Sequence, residues 1–187
     1  GAIAPMSDHT PETIVEFWFS PRVSKFHWGG PPEFDQELRD TYLPLHEAIV
    51  AGEHRDWQES PEGTLATILV LDQFSRNMFR GTARAFASDG LALWVLRQGL
   101  ARGLDRPLSS SQRGFMYMPL MHSEQAKDQQ HCIELMATIK QPEQVRFAYM
   151  HKDIIDRFGR YPHRNATLGR VSTPDEHAFL TQPGSGF

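Results

Sequence analysis

The stretch Ser60–Gly81, SPEGTLATILVLDQFSRNMFRG, decides the fold. Ser60-Pro61 is a helix start: a hydroxyl that can accept an orphan backbone N–H, then proline at the first helical position, where its missing N–H does no harm. Leu65 to Leu71 is apolar almost all round, which a buried strand would also give. The capping signal ahead of it, and the continuation through Phe74 and Met78, decide for a helix, the most buried of the chain. Asp72 lies four residues after Ile68 and three after Leu69, so it continues a buried stripe, and Arg76 lies four further on the same face. The plain reading is an intrahelical ion pair at the rim of the core. The sharper one is a carboxylate and a guanidinium facing an internal pocket, because this helix is too buried for a routine surface pair.

Outward from this helix the same punctuation repeats. Thr10-Pro11-Glu12 opens a short helix that Pro21 ends, and Trp28–Pro32 reads as a loop. Phe34, Leu38, Tyr42, Leu45 and Ile49 mark a helix over Glu33–Ala51, which Pro44 should kink or split. Ala83–Arg102 reads as one helix closed by Gly103. Ser109–Ser111 opens a short helix through Met118, stopped by Pro119. Ser123 caps a helix from Glu124 to Lys140, and Pro142 opens another that ends at Gly159. Arg160–Val171 lacks periodicity, and Thr173-Pro174-Asp175-Glu176 is a capping box for a last helix to Leu180. These signals predict an all-α fold of about eight helices in stacked antiparallel hairpins, without significant sheet. No self-similar repeat of about 34 residues is found. Residues 6–181 are expected to form a single helical domain. Residues 182–187 are expected to be disordered, and residues 1–5 to be an expression remnant ahead of Met6.

The 187 residues are 40% hydrophobic and 22% charged, enough to bury a core without staples. The net charge of −4 argues against non-specific nucleic-acid binding. The single cysteine, Cys132, cannot form an intramolecular disulfide, and it is read as packing material mid-helix. No run of about 18 apolar residues offers a membrane span. The start around Ala2–Ala4 is too short for a secretory signal, so a reducing cytoplasm is the expected compartment. No phosphate loop, dinucleotide fingerprint or nucleophile elbow names a cofactor or a reaction, and no metal set is expected.

Two further segments carry polar residues where plain packing would not. In Tyr117–Glu124, His122 and Glu124 flank Ser123 at a helix N-terminus, where Glu124 also suits the helix dipole. His-x-Glu across a turn is a weak metal signal. In the last segment, His151 sits on the apolar face of its helix, more like a satisfied core residue than a ligand. Four arginines then crowd into Arg157–Arg170 with His163 and Asn165. The plain reading is a solvated basic loop. The sharper one is an anion site, because planar guanidiniums hold carboxylate and phosphate bidentately.

The blocks LDQFSRNMFRGTARAFASD, FMYMPLMHSE and HKDIIDRFGRYPHRNATLGRVSTPDE, with the opening IVEFWF, resemble the signature blocks of the bacterial family called domain of unknown function 924. The likeness spans roughly Thr13 to Leu180. It implies an all-helical, tetratricopeptide-like fold and no established activity. It also implies that Asp72, Gln73, Arg76, Asn77, Arg80, His122, Glu124, His163, Arg164, Asn165, Gly169 and Arg170 occupy motif positions. Ser75 departs from the motif, which is associated with proline there, so a role for its hydroxyl is in doubt. Cys132 lies outside the blocks.

Three readings follow. In the first, a concave pocket takes a small phosphorylated or carboxylated ligand. Arg76, Asn77, Arg80, His151, Arg164, Asn165 and Arg170 would bind it. His122 and His163 would supply acid–base chemistry, with Asp72 or Glu124 orienting the imidazole. In the second, a tetratricopeptide-like module clamps a peptide carboxylate without catalysis. In the third, the polar residues only lock the helices together.

Overall fold

The computed structural model describes residues 8–187, so the expectation for residues 1–5 lies outside the described residues. The chain is all-helical, and no strand occurs among the described residues. The long elements are α1 (Pro11–Phe19), α2 (Pro32–Val50), α3 (Pro61–Leu69), α4 (Asp89–Ala101), α5 (Ser110–Met116), α6 (Met118–His122), α7 (Ala126–Met136), α8 (Pro142–Phe158) and α9 (Pro174–Leu180). α3 runs on through a π-turn, Val70–Phe74, into Ser75–Met78. One-turn helices add to these, so the helices outnumber the eight expected.

The caps explain most boundaries. Thr10, Ser60, Ser109 and Thr173 each accept a backbone N–H from the first turn of the helix they precede. Proline follows Thr10, Ser60 and Thr173 at the first helical position. Pro44 stands inside α2 without splitting it. Pro119 does not stop a helix but sits in the first turn of α6. The expected single helix over Ala83–Arg102 is broken at Ser88, into Arg84–Ala87 and α4. Ser123 ends α6 rather than capping α7: its Oγ accepts from Gln125 N and donates to the buried Asp128 carboxylate.

α3 is the centre of the molecule, packed on α1, α4 and α5, and every residue from Gly63 to Ser75 is buried. Its apolar side chains belong to one large core with Trp18, Leu38, Leu96 and Met116. A second, small apolar cluster of Ile154, Ile155, Tyr161 and Phe179 forms under the α8–α9 connection. The Arg164 guanidinium bridges the two. It lies 4.6 Å from the ring of Phe86, which packs on the large core, and 4.7 Å from the ring of Tyr161, in the small one. Both distances are within cation–π range. No helix among the described residues is long and apolar enough to cross a membrane.

Candidate functional site

Asp72 lies within the π-turn, among buried packing residues. Inserted π-turns are common where a helix must re-aim a functional side chain. Asp72 is fully buried. Its Oδ2 lies 2.9 Å from His122 Nδ1, and its Oδ1 accepts from Arg76 Nη1 at 3.2 Å. Arg76 in turn makes a bidentate pair with Asp89, at 2.8 and 2.9 Å. Arg164, also buried, donates Nη2 to the His122 carbonyl at 3.1 Å, and its Nη1 stands 3.9 Å from Asp89.

Burial alone would raise the Asp72 pKa. The pull of His122, by its charge whenever it is protonated and by its hydrogen bond, together with the Arg76 charge, outweighs it, and the carboxyl stays ionised below its usual range. Burial, reinforced by Arg76, pushes His122 down from 6.5 against the pull of Asp72. The stable state is therefore carboxylate beside neutral imidazole. A carboxylate only accepts, so the His122 proton sits on Nδ1 and Nε2 carries a lone pair. Nε2 has no protein partner among the described residues, and it is not one of the enclosed polar atoms. His122 lines two adjoining cavities, of about 480 and 340 Å³.

The smaller cavity is the basic one. Gln73, Arg76, Asn77, Arg80, His163 and Arg164 line it, with Trp28 and Phe187 among its aromatic walls. His163 is pulled down to about 4, by burial first and then by Arg164. Its Nδ1 is enclosed without a partner.

The structure thus gathers Arg76, His122, His163 and Arg164 around one space, with Asp72 buried behind His122. Asn77 and Arg80 reach the same cavity, but both are engaged with Asp35: Asn77 donates to it at 2.9 Å and Arg80 bidentately at 2.8 and 3.2 Å. Four other candidates are spent elsewhere. Glu124 does not orient an imidazole. It takes Arg170 on both oxygens, at 2.9 and 3.0 Å, and the Tyr161 backbone N–H at 2.7 Å. Those bonds outweigh the cost of burial and hold its carboxyl below the usual range. Arg170 also donates to Asn165 Oδ1 at 2.9 Å, so Asn165 and Arg170 build the loop instead of the cavity. His151 is a core histidine: Nδ1 bonds the Phe147 carbonyl at 2.7 Å, and burial pulls its pKa to about 3.

Asp89 was missed, because reading Ala83–Arg102 as one helix hid the break that makes it the first residue of α4. The buried trio His46, Ser75 and Ser88 was missed too. Ser75 and Ser88 both donate to the Leu71 carbonyl, at 2.8 and 2.7 Å, and His46 Nε2 stands 2.7 Å from Ser75 Oγ. These side chains are sealed in the core and line neither cavity. Cys132 is buried and its thiol is pushed up to about 12, as packing material would be. No group of three or more His, Cys, Asp or Glu side chains placed to hold a metal ion is found among the described residues.

A family model described as bacterial protein of unknown function (DUF924) matches residues 14–184. The chain belongs to DUF924. The solved structure of a protein of unknown function from Agrobacterium tumefaciens is similar over 91% of this chain and 96% of that one, with 37% identity and a TM-score of 0.85. No curated protein matches the chain. The DUF924 fold is thus established here without a function attached to it.

Proposed function

We propose that this DUF924 protein binds a small carboxylated or phosphorylated metabolite beside His122 and moves a proton at Nε2. The observation that carries the reading is the buried Asp72–His122 pair, whose free imidazole nitrogen opens on a cavity edged by arginines. A substrate O–H, C–H or an attacking water would give its proton to Nε2, and the Asp72 carboxylate would stabilise the imidazolium until the proton is returned. Arg164 is the residue best placed to hold the anionic group. Among the arginines at the cavity it alone lacks a bidentate carboxylate partner. His163, a neutral imidazole in the same cavity, would hydrogen-bond the developing negative charge through its ring N–H.

The tetratricopeptide-like module with a peptide clamp has less support. The loop arginine Arg170 is committed to Glu124, and the cavity walls mix histidines, amides and rings. Thermal unfolding against a panel of phosphates and carboxylated metabolites tests the proposal. A ligand at about 100 times its dissociation constant adds about 2.7 kcal/mol of stability. The shift should be selective, absent in Arg164→Gln and retained in Glu143→Gln, a residue on the far wall of a different pocket. A panel that leaves the wild type unshifted, or shifts all variants alike, defeats the reading.

A further inference from the structure

The two cavities share Phe86, His122 and Arg164 as a common wall, so His122 stands between two lobes of one cleft. Their chemistry differs. The basic lobe presents Arg76, Arg80 and Arg164, and no Asp or Glu side chain lines it. The larger lobe is walled by Ala83, Ala87, Leu93, Pro119 and Leu168. Its two carboxylates, Asp89 and Glu124, already hold Arg76 and Arg170 bidentately. Paired in this way they leave no unmet charge for a ligand there, and Arg164, shared with the basic lobe, is the one arginine that lines it.

Gly90 opens that larger lobe. It is the second residue of α4 and lines the cavity, and a Cβ built on it meets nothing within 4 Å. Its backbone is not left-handed, so no strain demands glycine there. Gly90 lies at the exposed mouth of the lobe, where a Cβ would meet no protein atom, so a longer side chain has room to reach across the opening. Glycine is a poor helix former, and its presence here leaves space where any other residue would take it.

We infer that the substrate is an elongated acid: its carboxylate or phosphate sits in the basic lobe, its uncharged hydrocarbon part fills the lobe opened by Gly90, and the group that exchanges a proton lies between them at His122 Nε2. This rests on the reading of His122 and Arg164 given above, and it adds the substrate's shape and polarity. Gly90 becomes a specificity-determining position: it sets how long a hydrocarbon part the cleft accepts.

The test is calorimetric titration of straight-chain carboxylates, acetate through octanoate, and of the alkyl monophosphates of the same lengths, into wild type, Gly90→Ala and Gly90→Phe. In wild type, affinity should rise about fourfold per added methylene, the value of a buried CH₂ at about 0.8 kcal/mol, until the lobe is full. Gly90→Phe should bind the shortest acids as wild type does and lose the dependence on length. Gly90→Ala should keep it over the shorter members. Helix content and Tm confirm that both variants fold, and Gly90→Leu gives the same readout if the phenylalanine variant does not. A flat series in wild type, or a series unchanged by Gly90→Phe, overturns this inference and leaves short-anion binding at Arg164 intact. Failure of wild type to bind any member of either series overturns the anion site itself, and this inference with it.

Discussion

The Glu124–Arg170 cluster and the Asp72–His122–Arg164 cluster draw on neighbouring stretches of the same sequence blocks, and they end in opposite states of hydrogen bonding. In the first, Glu124 takes both Arg170 donors and the Tyr161 N–H, and Arg170 reaches on to Asn165 and the Tyr161 carbonyl. Arg160 and Glu176 close the same loop from behind, with bonds at 2.7 and 2.8 Å. In the second, Asp72 is satisfied, but His122 keeps one nitrogen unpartnered and Arg164 touches Asp89 only at 3.9 Å. Polar residues in unusual places are thus of two kinds. A saturated knot fixes backbone. A cluster with open valence beside a cavity has capacity left for a ligand.

Mutations can break this contrast. The largest expected effect is on proton transfer in the open cluster: His122→Gln should keep a donor for Asp72, leave Tm within about 3 °C, and reduce turnover of any substrate the panel yields by about a hundredfold or more. Glu124→Ala should do the reverse. It strands Arg170 and should cost about 3 kcal/mol, tempered by the pair's partial exposure, which lowers Tm by about 10 °C. Anion affinity per folded molecule should hold. If Glu124→Ala abolished binding with its Tm intact, the two clusters would not be separable.

Acid sharpens the contrast next. His46 and His163 are pulled to about 4 and His151 to about 3, each mainly by burial. The unfolded chain binds these protons near pH 6.5 while the folded chain refuses them. Stability is therefore full above pH 6.5 and falls as pH drops towards about 4. Melting curves across that window should show the decline, and His151→Leu should flatten it by one proton's worth. The smallest effect is expected at Arg80→Ala. Its Asp35 pair is 59% exposed on the arginine side, so stability should change by less than about 1 kcal/mol.

The helices were legible because their signals are local. Thr10-Pro11, Ser60-Pro61 and Thr173-Pro174 each cap a helix where the sequence places one. Pro119 and Ser123 misled because one residue type serves two ends: proline before a helix or after it, serine as N-cap or as the link closing a turn. Asp72 and His122 were legible as polar residues on apolar stripes. That they touch was not, because 50 residues and four elements separate them. Nor could spacing tell that Glu124 faces Arg170 rather than an imidazole, since tertiary packing alone settles which way a side chain at a helix end turns. The break at Ser88 is marked only by the Asp89-Gly90 pair, which the apolar period running on through Leu93, Leu96 and Leu100 hid, and Asp89 disappeared with it.

The central claim is that His122 is a neutral imidazole protonated on Nδ1, with Nε2 free. Long-range ¹H–¹⁵N spectra of uniformly labelled protein, with His122 assigned through His122→Gln, report both tautomer and titration directly. A deprotonated-type Nε2 and a protonated-type Nδ1 are expected at pH 7, with titration displaced below 6.5. An Nε2–H tautomer, or an imidazole that titrates at or above 6.5 like an exposed histidine, would contradict it.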